Sequence, residues 1–257
     1  MKDSSKARQA FYRFLPILSI LLIIIAWVIF SSQGNKLFPT PAEVFDRFIR
    51  TFTNPIAKTT LLGHIWASLR RVMIALVISW VLGISVGVMI GSNKYCKAIF
   101  GGILEIFRPI PPIAWIPIII MWFGIGELPK VVLVFIGTFF PVMINTSAGI
   151  SMVDKINMDV GLIFGGSHWQ ILKEIVIPTA LPSIFAGIRT SVSSGWTVVL
   201  AAEMMGAQQG LGALVMKGWS VTDMSLVLVT VITIAAIGAL LAFVLARAER
   251  LVTPWNR

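Results

Sequence analysis

Four ionisable side chains, Glu105, Arg108, Arg189 and Glu203, stand inside long apolar runs of this 257-residue chain. A charge at bilayer depth costs at least ~2.5 kcal/mol, so each such residue needs a partner or an aqueous cavity. Arg108 sits beside a proline cluster, and Ser193, Ser194, Trp196 and Thr197 surround Gly195 further on. A guanidinium with hydroxyl donors suits a small oxyanion in passage. Glu203 is expected at the outer mouth of such a path. Two ordinary readings stand beside this one. Glu105 and Arg108, at i and i+3, could form a buried ion pair or snorkel near a helix end. Ala186, Thr190 and Ser194, four apart, read first as a helix-packing face. Catalysis finds no support: there is no Walker A pattern, GxSxG or HExxH, and His64 and His168 fall on opposite expected sides. The single cysteine, Cys96, excludes an internal disulfide and a cysteine-based metal cluster. The expectation is a non-catalytic chain holding no metal and no cofactor of its own.

The elements that hold these residues follow from composition. The chain is 57% hydrophobic and 12% charged, with a mean hydropathy of +0.89, far from the soluble norm of about 25% charged. This is an all-α polytopic membrane protein. The net charge of +10 does not indicate nucleic acid, because the basic residues form no dense stripe and mostly flank apolar runs.

A polar tail (1–13) precedes one transmembrane domain (14–257) with about six spans, near 14–32, 67–92, 98–126, 130–151, 179–205 and 224–248. No cleavage-like small-residue site follows Phe30, so the first span reads as retained. In the loop after it, Thr40, Pro41 and Glu43 make a capping box with a first-turn proline. Val44, Phe45, Phe48, Ile49 and Phe52 then recur at helical spacing, predicting an amphipathic helix (40–53) on the outer interface. Gly83, Gly87 and Gly91 give the second span a close-packing face, and Ala235, Ala239, Ala242 and Ala246 give the sixth another. RPIPP at 108–112 breaks the third span, which is tolerated only where protein or a water-filled cavity surrounds it.

Six spans put both termini on one side. That topology sets eleven basic residues inside (Lys2, Lys6, Arg8, Arg13, Lys94, Lys97, Lys155, Lys173, Arg247, Arg250, Arg257) against six outside (Lys36, Arg47, Arg50, Lys58, Lys130, Lys217). The bias predicts cytoplasmic termini.

Between spans four and five lies a polar interval, 154–178, expected on the cytoplasmic side. Its stretch DVGLIFGGSHWQILKEIVIP resembles the EAA loop of ATP-binding-cassette (ABC) importer permeases, whose pattern is E-A-A, three residues, G, nine residues, I, one residue, L-P. Asp159, Val160 and Gly161 occupy the E-A-A places, Gly165 the glycine, Ile175 the isoleucine, and Ile177-Pro178 the L-P. Asp replaces Glu, and Gly161 weakens helix propensity. FPTPAEV, RPIPPIAWIPIIIMWFG, GGSHWQILKEIVIPTALPSIFAGIR and AAEMMGAQQGLGALV extend the resemblance to the branch serving nitrate, taurine and aliphatic sulfonates.

The resemblance implies a type I ABC importer transmembrane domain in a bacterial inner membrane. It implies a second permease copy, with a homodimer favoured, two separate ABC ATPase subunits that carry ATP and Mg, and an extracytoplasmic substrate-binding protein. It also implies that Asp159, Val160, Gly161, Gly165, Gly166, Ser167, Trp169, Ile175 and Pro178 form the ATPase-coupling segment. In the physical reading, Gly165-Gly166 is the bend, Trp169 and Ile171 are apolar anchors for a partner, and Pro178 is a fixed start for span five. The path residues are Arg108, Ser193, Trp196, Thr197 and Glu203. The same family also serves heterocyclic nutrients. An ion-coupled secondary carrier would need intramembrane carboxylates and inverted repeats, of which only Glu105 and Glu203 are available and no repeat is visible. A scaffold subunit would have no use for the broken third span.

Overall fold

The computed structural model describes residues 3–32 and 37–253. Met1 and Lys2 of the tail, the Gln33–Asn35 connection with Lys36, and residues 254–257 lie outside them. Among the described residues every regular element is a helix, apart from one isolated bridge between Ile56 and Thr59.

The helices are α1 (Asp3–Ser31), α2 (Pro41–Thr53), α3 (Leu61–Ser92), α4 (Lys94–Phe107), α5 (Ile116–Phe123), α6 (Glu127–Ser151), α7 (Lys155–Ile163), α8 (His168–Ile171), α9 (Ile177–Met204), α10 (Leu211–Ser220) and α11 (Met224–Val252). Among the described residues, four continuous helices are long and apolar enough to cross a membrane: Leu61–Ser92, Glu127–Ser151, His168–Met204 and Met224–Val252. Leu18–Ser31 is an apolar stretch within α1, and α4 with Pro112–Phe123 passes as a pair bent by 87°.

The described residues group into two units, one within Met1–Leu61 and Leu214–Ile232, the other within Leu62–Ala213 and Thr233–Arg257. In the first, the expected capping box is formed: Thr40 N donates to Glu43 Oε2 at 2.7 Å and Glu43 N to Thr40 Oγ1 at 3.3 Å. Val44 and Thr51 are buried, while Phe45, Phe48, Ile49 and Phe52 are exposed. Arg47 pairs with Asp223 at 2.8 Å, and the same carboxylate caps α11 by accepting from Leu226 N.

In the second unit, glycines let three spans approach closely. A Cβ on Gly83 would lie 3.1 Å from Val142 Cβ, on Gly87 2.6 Å from Thr146 Cβ and on Gly91 2.7 Å from Ile150 Cβ. The expected small-residue face of α3 therefore packs on α6. Contact of α6 with α9 uses glycines from both sides, Gly137 against Val198 and Gly187 and Gly195 against Asn145 and Thr138. Without a hydrophobic drive between helices in lipid, this close fit and its hydrogen bonds hold the spans together. Ser79 Oγ meets Thr138 Oγ1 at 2.6 Å, and Trp80 Nε1 donates to Ser191 Oγ at 3.0 Å.

Helical phase corrects two expectations. The buried face of α9 carries Ile184, Gly187, Ser191, Gly195, Val198 and Ala202, so Ala186, Thr190 and Ser194 turn away from the packing contact with α6. On α11, Ala235, Ala239 and Ala242 are exposed, and the close approach is made by Gly238, whose Cβ would stand 3.1 Å from Trp196 Nε1.

Candidate functional site

The proline cluster sets one wall of a cavity. Pro109, Pro111 and Pro112 lack N–H groups, so α4 cannot continue. The chain leaves it at Arg108, passes extended through Pro111 (φ −58°, ψ 135°) and re-enters as a 3₁₀ turn, Pro112–Trp115, before α5. The break is satisfied locally: Ile110 N donates to Phe107 O, Ala114 N to Pro111 O, and the rings of Phe107 and Trp115 stack at 5.9 Å.

Against this wall, α6 and α9 enclose about 600 Å³ lined by Arg108, Ile110, Pro112, Gly137, Phe140, Pro141, Asn145, Thr190, Ser193, Ser194, Thr197 and Val198, among others. Arg108, Ser193 and Thr197, expected on a path, line it together. Trp196 and Glu203 do not. Trp196 is buried with its Nε1 donating to Ile234 O at 3.2 Å. Glu105 is exposed on α4 and makes no ion pair with Arg108 among the described residues. Arg189 pairs with Glu249 of α11.

Glu203, placed at a path mouth in the sequence, is wholly buried (0% exposed). Its carboxylate accepts from Arg71 Nη1 at 2.6 Å, Ser68 Oγ at 2.8 Å and Gly212 N at 2.9 Å. Arg71 also grips Glu127 through two bonds of 2.7 Å and donates to Gln209 O at 2.8 Å. Glu127 accepts in turn from Lys130 at 3.2 Å, and Gly210 N lies 3.1 Å from His64 Nδ1. A buried charge survives only with such partners. His64, Ser68 and Arg71 share one face of α3 at i, i+4 and i+7. That spacing and the Gly210-Leu211-Gly212 stretch at the start of α10 were the sequence signals for this network. Expected from Ala67, the second span begins at Leu61 instead because buried His64 belongs to the network rather than to a loop.

The 154–178 segment is built from a second pair of caps. Asp154 caps α7, which ends in paired C-terminal bonds: Gly165 N to Leu162 O at 2.9 Å and Gly166 N to Gly161 O at 3.0 Å. Gly165 has φ +81°, the left-handed conformation this ending requires. Ser167 and Gln170 then form a capping box at the start of α8, for which S-x-x-Q is the sequence signal.

Two expectations change here. Ile171 is buried with Ile150, Val153, Val176, Ala180 and Ile184, so it anchors the segment to its own chain. A Cβ on Gly161 would stand 2.8 Å from Ile175 Cδ1, so this glycine seats α7 closely on the following helix. Nor does Pro178 start the span. Residues His168–Met204 run as one helix through a π turn at Leu172–Val176, with Ile177 N bonded to Leu172 O. The wider turn just ahead of Pro178 accommodates the ring and its missing N–H. Exposed on the segment are Ile163 (82%), Phe164 (87%) and Trp169 (69%), with Val160 and Ser167 also exposed. Asp159 and His168 line a second cavity of about 510 Å³ beside the ends of α3 and α6.

This fold is that of the transmembrane subunit of an ABC importer. The methionine transporter MetNI, in an inward-facing crystal form, superposes with a TM-score of 0.65 over 75% of this chain and 96% of that one, at 20% identity. The chain belongs to the family described as binding-protein-dependent transport system inner membrane component, whose pattern matches residues 80–257. It is 33% identical to the taurine transport system permease protein TauC of Escherichia coli, over 92% of this chain and 87% of that protein. It is 30% identical to the nitrate import permease protein NrtB of Synechocystis, over 93% and 89%.

Proposed function

We propose that this chain forms the membrane path for a small anionic solute, and that the path runs through the cavity lined by Arg108, Ser193, Ser194 and Thr197. The observation carrying this reading is the Arg108 guanidinium, which has no ion-pair partner among the described residues and lies among hydroxyls in the one wall where the third span is broken. Relatives named for taurine and nitrate support an anionic solute.

The chain itself hydrolyses nothing. Two ABC ATPase subunits supply the energy, a second copy of the permease completes the membrane part, and a binding protein delivers solute from outside. The 154–178 segment faces the cytoplasm, and its exposed Ile163, Phe164 and Trp169 seat against the ATPase. Because α8 continues into α9, displacement of that seat tilts the helix that lines the cavity, which is a route to alternating access.

Arg108→Gln tests the path. Uptake by the complete importer should fall about tenfold or more, the weight of a charge-assisted hydrogen bond, while ATPase and permease still co-purify. Unchanged uptake removes Arg108 and this cavity from the path.

A further inference from the structure

The cavity of about 510 Å³ beside the ends of α3 and α6 is bounded on one side by a face of α7. Lys155, Met158, Asp159 and Leu162 line it at i, i+3, i+4 and i+7. Ile156, Val160 and Ile163 lie on another face and are exposed, so the side of the segment turned to the spans is distinct from the apolar side that carries Ile163. Lys155 and Asp159 stand one turn apart, the spacing at which opposite charges pair, yet neither makes an ion pair among the described residues. His168, in the first turn of α8, adds an imidazole to the same cavity. Asn93, at the end of α3, adds an amide nitrogen, since its Oδ1 is taken by Tyr95 N at 2.8 Å and Cys96 N at 3.4 Å. Beside these polar groups Ile150, Val153 and Val176 form an apolar floor.

We propose that this cavity holds the headgroup of a phospholipid that bears both a phosphate and a primary ammonium, a phosphoethanolamine headgroup. The phosphate accepts from Lys155, Asn93 and His168, and the ammonium donates to Asp159. A phosphate headgroup without a cation leaves Asp159 facing an anion, and a quaternary ammonium has no proton to give it. The source is the bilayer rather than a soluble compound, because the cavity adjoins the ends of two spans, where headgroups lie, and its apolar floor suits the start of an acyl chain. The inference rests on the reading of α3 and α6 as spans whose ends meet the cytoplasmic leaflet. A lipid so placed lies between the coupling segment and the spans that the segment is to move.

The test reads bound lipid rather than transport. The complete importer, permease with its ATPase subunits, is purified in detergent and incubated with an equimolar mixture of phosphatidylethanolamine, phosphatidylglycerol and phosphatidylcholine of identical chains. After washing, the retained lipids are identified and counted by native mass spectrometry. Wild type should retain phosphatidylethanolamine over each of the others by about threefold to tenfold, between the effect of an exposed ion pair and that of a charge-assisted hydrogen bond. Asp159→Asn should bring phosphatidylethanolamine to within about twofold of phosphatidylcholine. Asp159→Glu keeps the charge and should keep the preference, which separates loss of the carboxylate from poor folding. Lys155→Gln should lower retention of all three lipids. Excess glycerophosphoethanolamine, the same headgroup without chains, should leave the lipid in place.

Equal retention of the three lipids by wild type, a preference for phosphatidylglycerol or phosphatidylcholine, or an unaltered preference in Asp159→Asn overturns the proposal. Unchanged retention in Lys155→Gln does the same, and displacement by glycerophosphoethanolamine assigns the cavity to a soluble ligand instead. Detergent has no leaflets, so these outcomes do not depend on which way the segment faces. Labelling of Cys96 tests that orientation separately, and a reversed pattern there would move the site to the other leaflet with its chemistry unchanged.

Discussion

Two buried polar residues of this chain have opposite significance. Glu203 is enclosed with three donors, so removing one donor strands a charge. Arg71→Met is expected to destabilise the protein by about 3–5 kcal/mol, the range for breaking a buried pair from one side. Thr146 Oγ1 is buried with no hydrogen-bond partner among the described residues, held where α6 meets Gly87 of α3. Its hydroxyl already bears the desolvation penalty, so Thr146→Val, of nearly equal shape, is expected to be neutral or to stabilise by up to about 1 kcal/mol. Thermal unfolding of the two variants in detergent, followed by tryptophan fluorescence, should move in opposite directions or move only for Arg71→Met; a shared large loss would contradict the account. Sequence reading found Glu203 as an oddity but not its function, because its side-chain partners Ser68 and Arg71 stand more than a hundred positions away in the chain.

Among the helices, those with local signals were the most legible. Thr40, Pro41 and Glu43 announced the start of α2, and the four-residue glycine spacing of α3 announced its contact face, since both depend on neighbours within a turn or two. The reach of α9 was not legible. Pro178 reads as a helix start, and nothing local reveals that a π turn carries the helix past it from His168. Within the 154–178 segment, Gly161 and Gly165 are predicted to respond differently. Gly161→Ala crowds side chains and no backbone, chiefly the Ile175 Cδ1 end at 2.8 Å and Ile171 Cγ1 at 3.1 Å, and restores helix propensity, so solute-stimulated ATP hydrolysis by the complex should stay at wild-type level. Gly165→Val opposes φ +81° and should abolish the stimulation while the permease remains in the membrane. Wild-type stimulation in Gly165→Val would refute the lever.

At the scale of the whole molecule, composition alone gave the membrane class, and the motif spacing gave the family. The lining of the cavity was only half legible, because which face of α9 turns from α6 is a matter of helical phase set by Gly187, Gly195 and Val198 against α6. Orientation can be read from the chain's own chemistry. Cys96 is its single cysteine and is half-exposed in the first turn of α4, between Lys94 and Lys97, which the proposed topology sets on the cytoplasmic side. A membrane-impermeant maleimide should label it in inside-out vesicles and not in intact spheroplasts; the reverse pattern would invert the topology. The π turn has a further consequence for anyone recombining permeases. It holds one residue more than an α turn, and each residue rotates a helix by about 100°. A chimaera that imports a coupling segment with an ordinary turn at 172–176, or a one-residue deletion there, keeps every motif downstream yet swings Thr190, Ser193 and Thr197 out of register with the segment. Hybrid junctions therefore belong before Asp154 or beyond Thr197, where segment and helix travel together as one spliced piece.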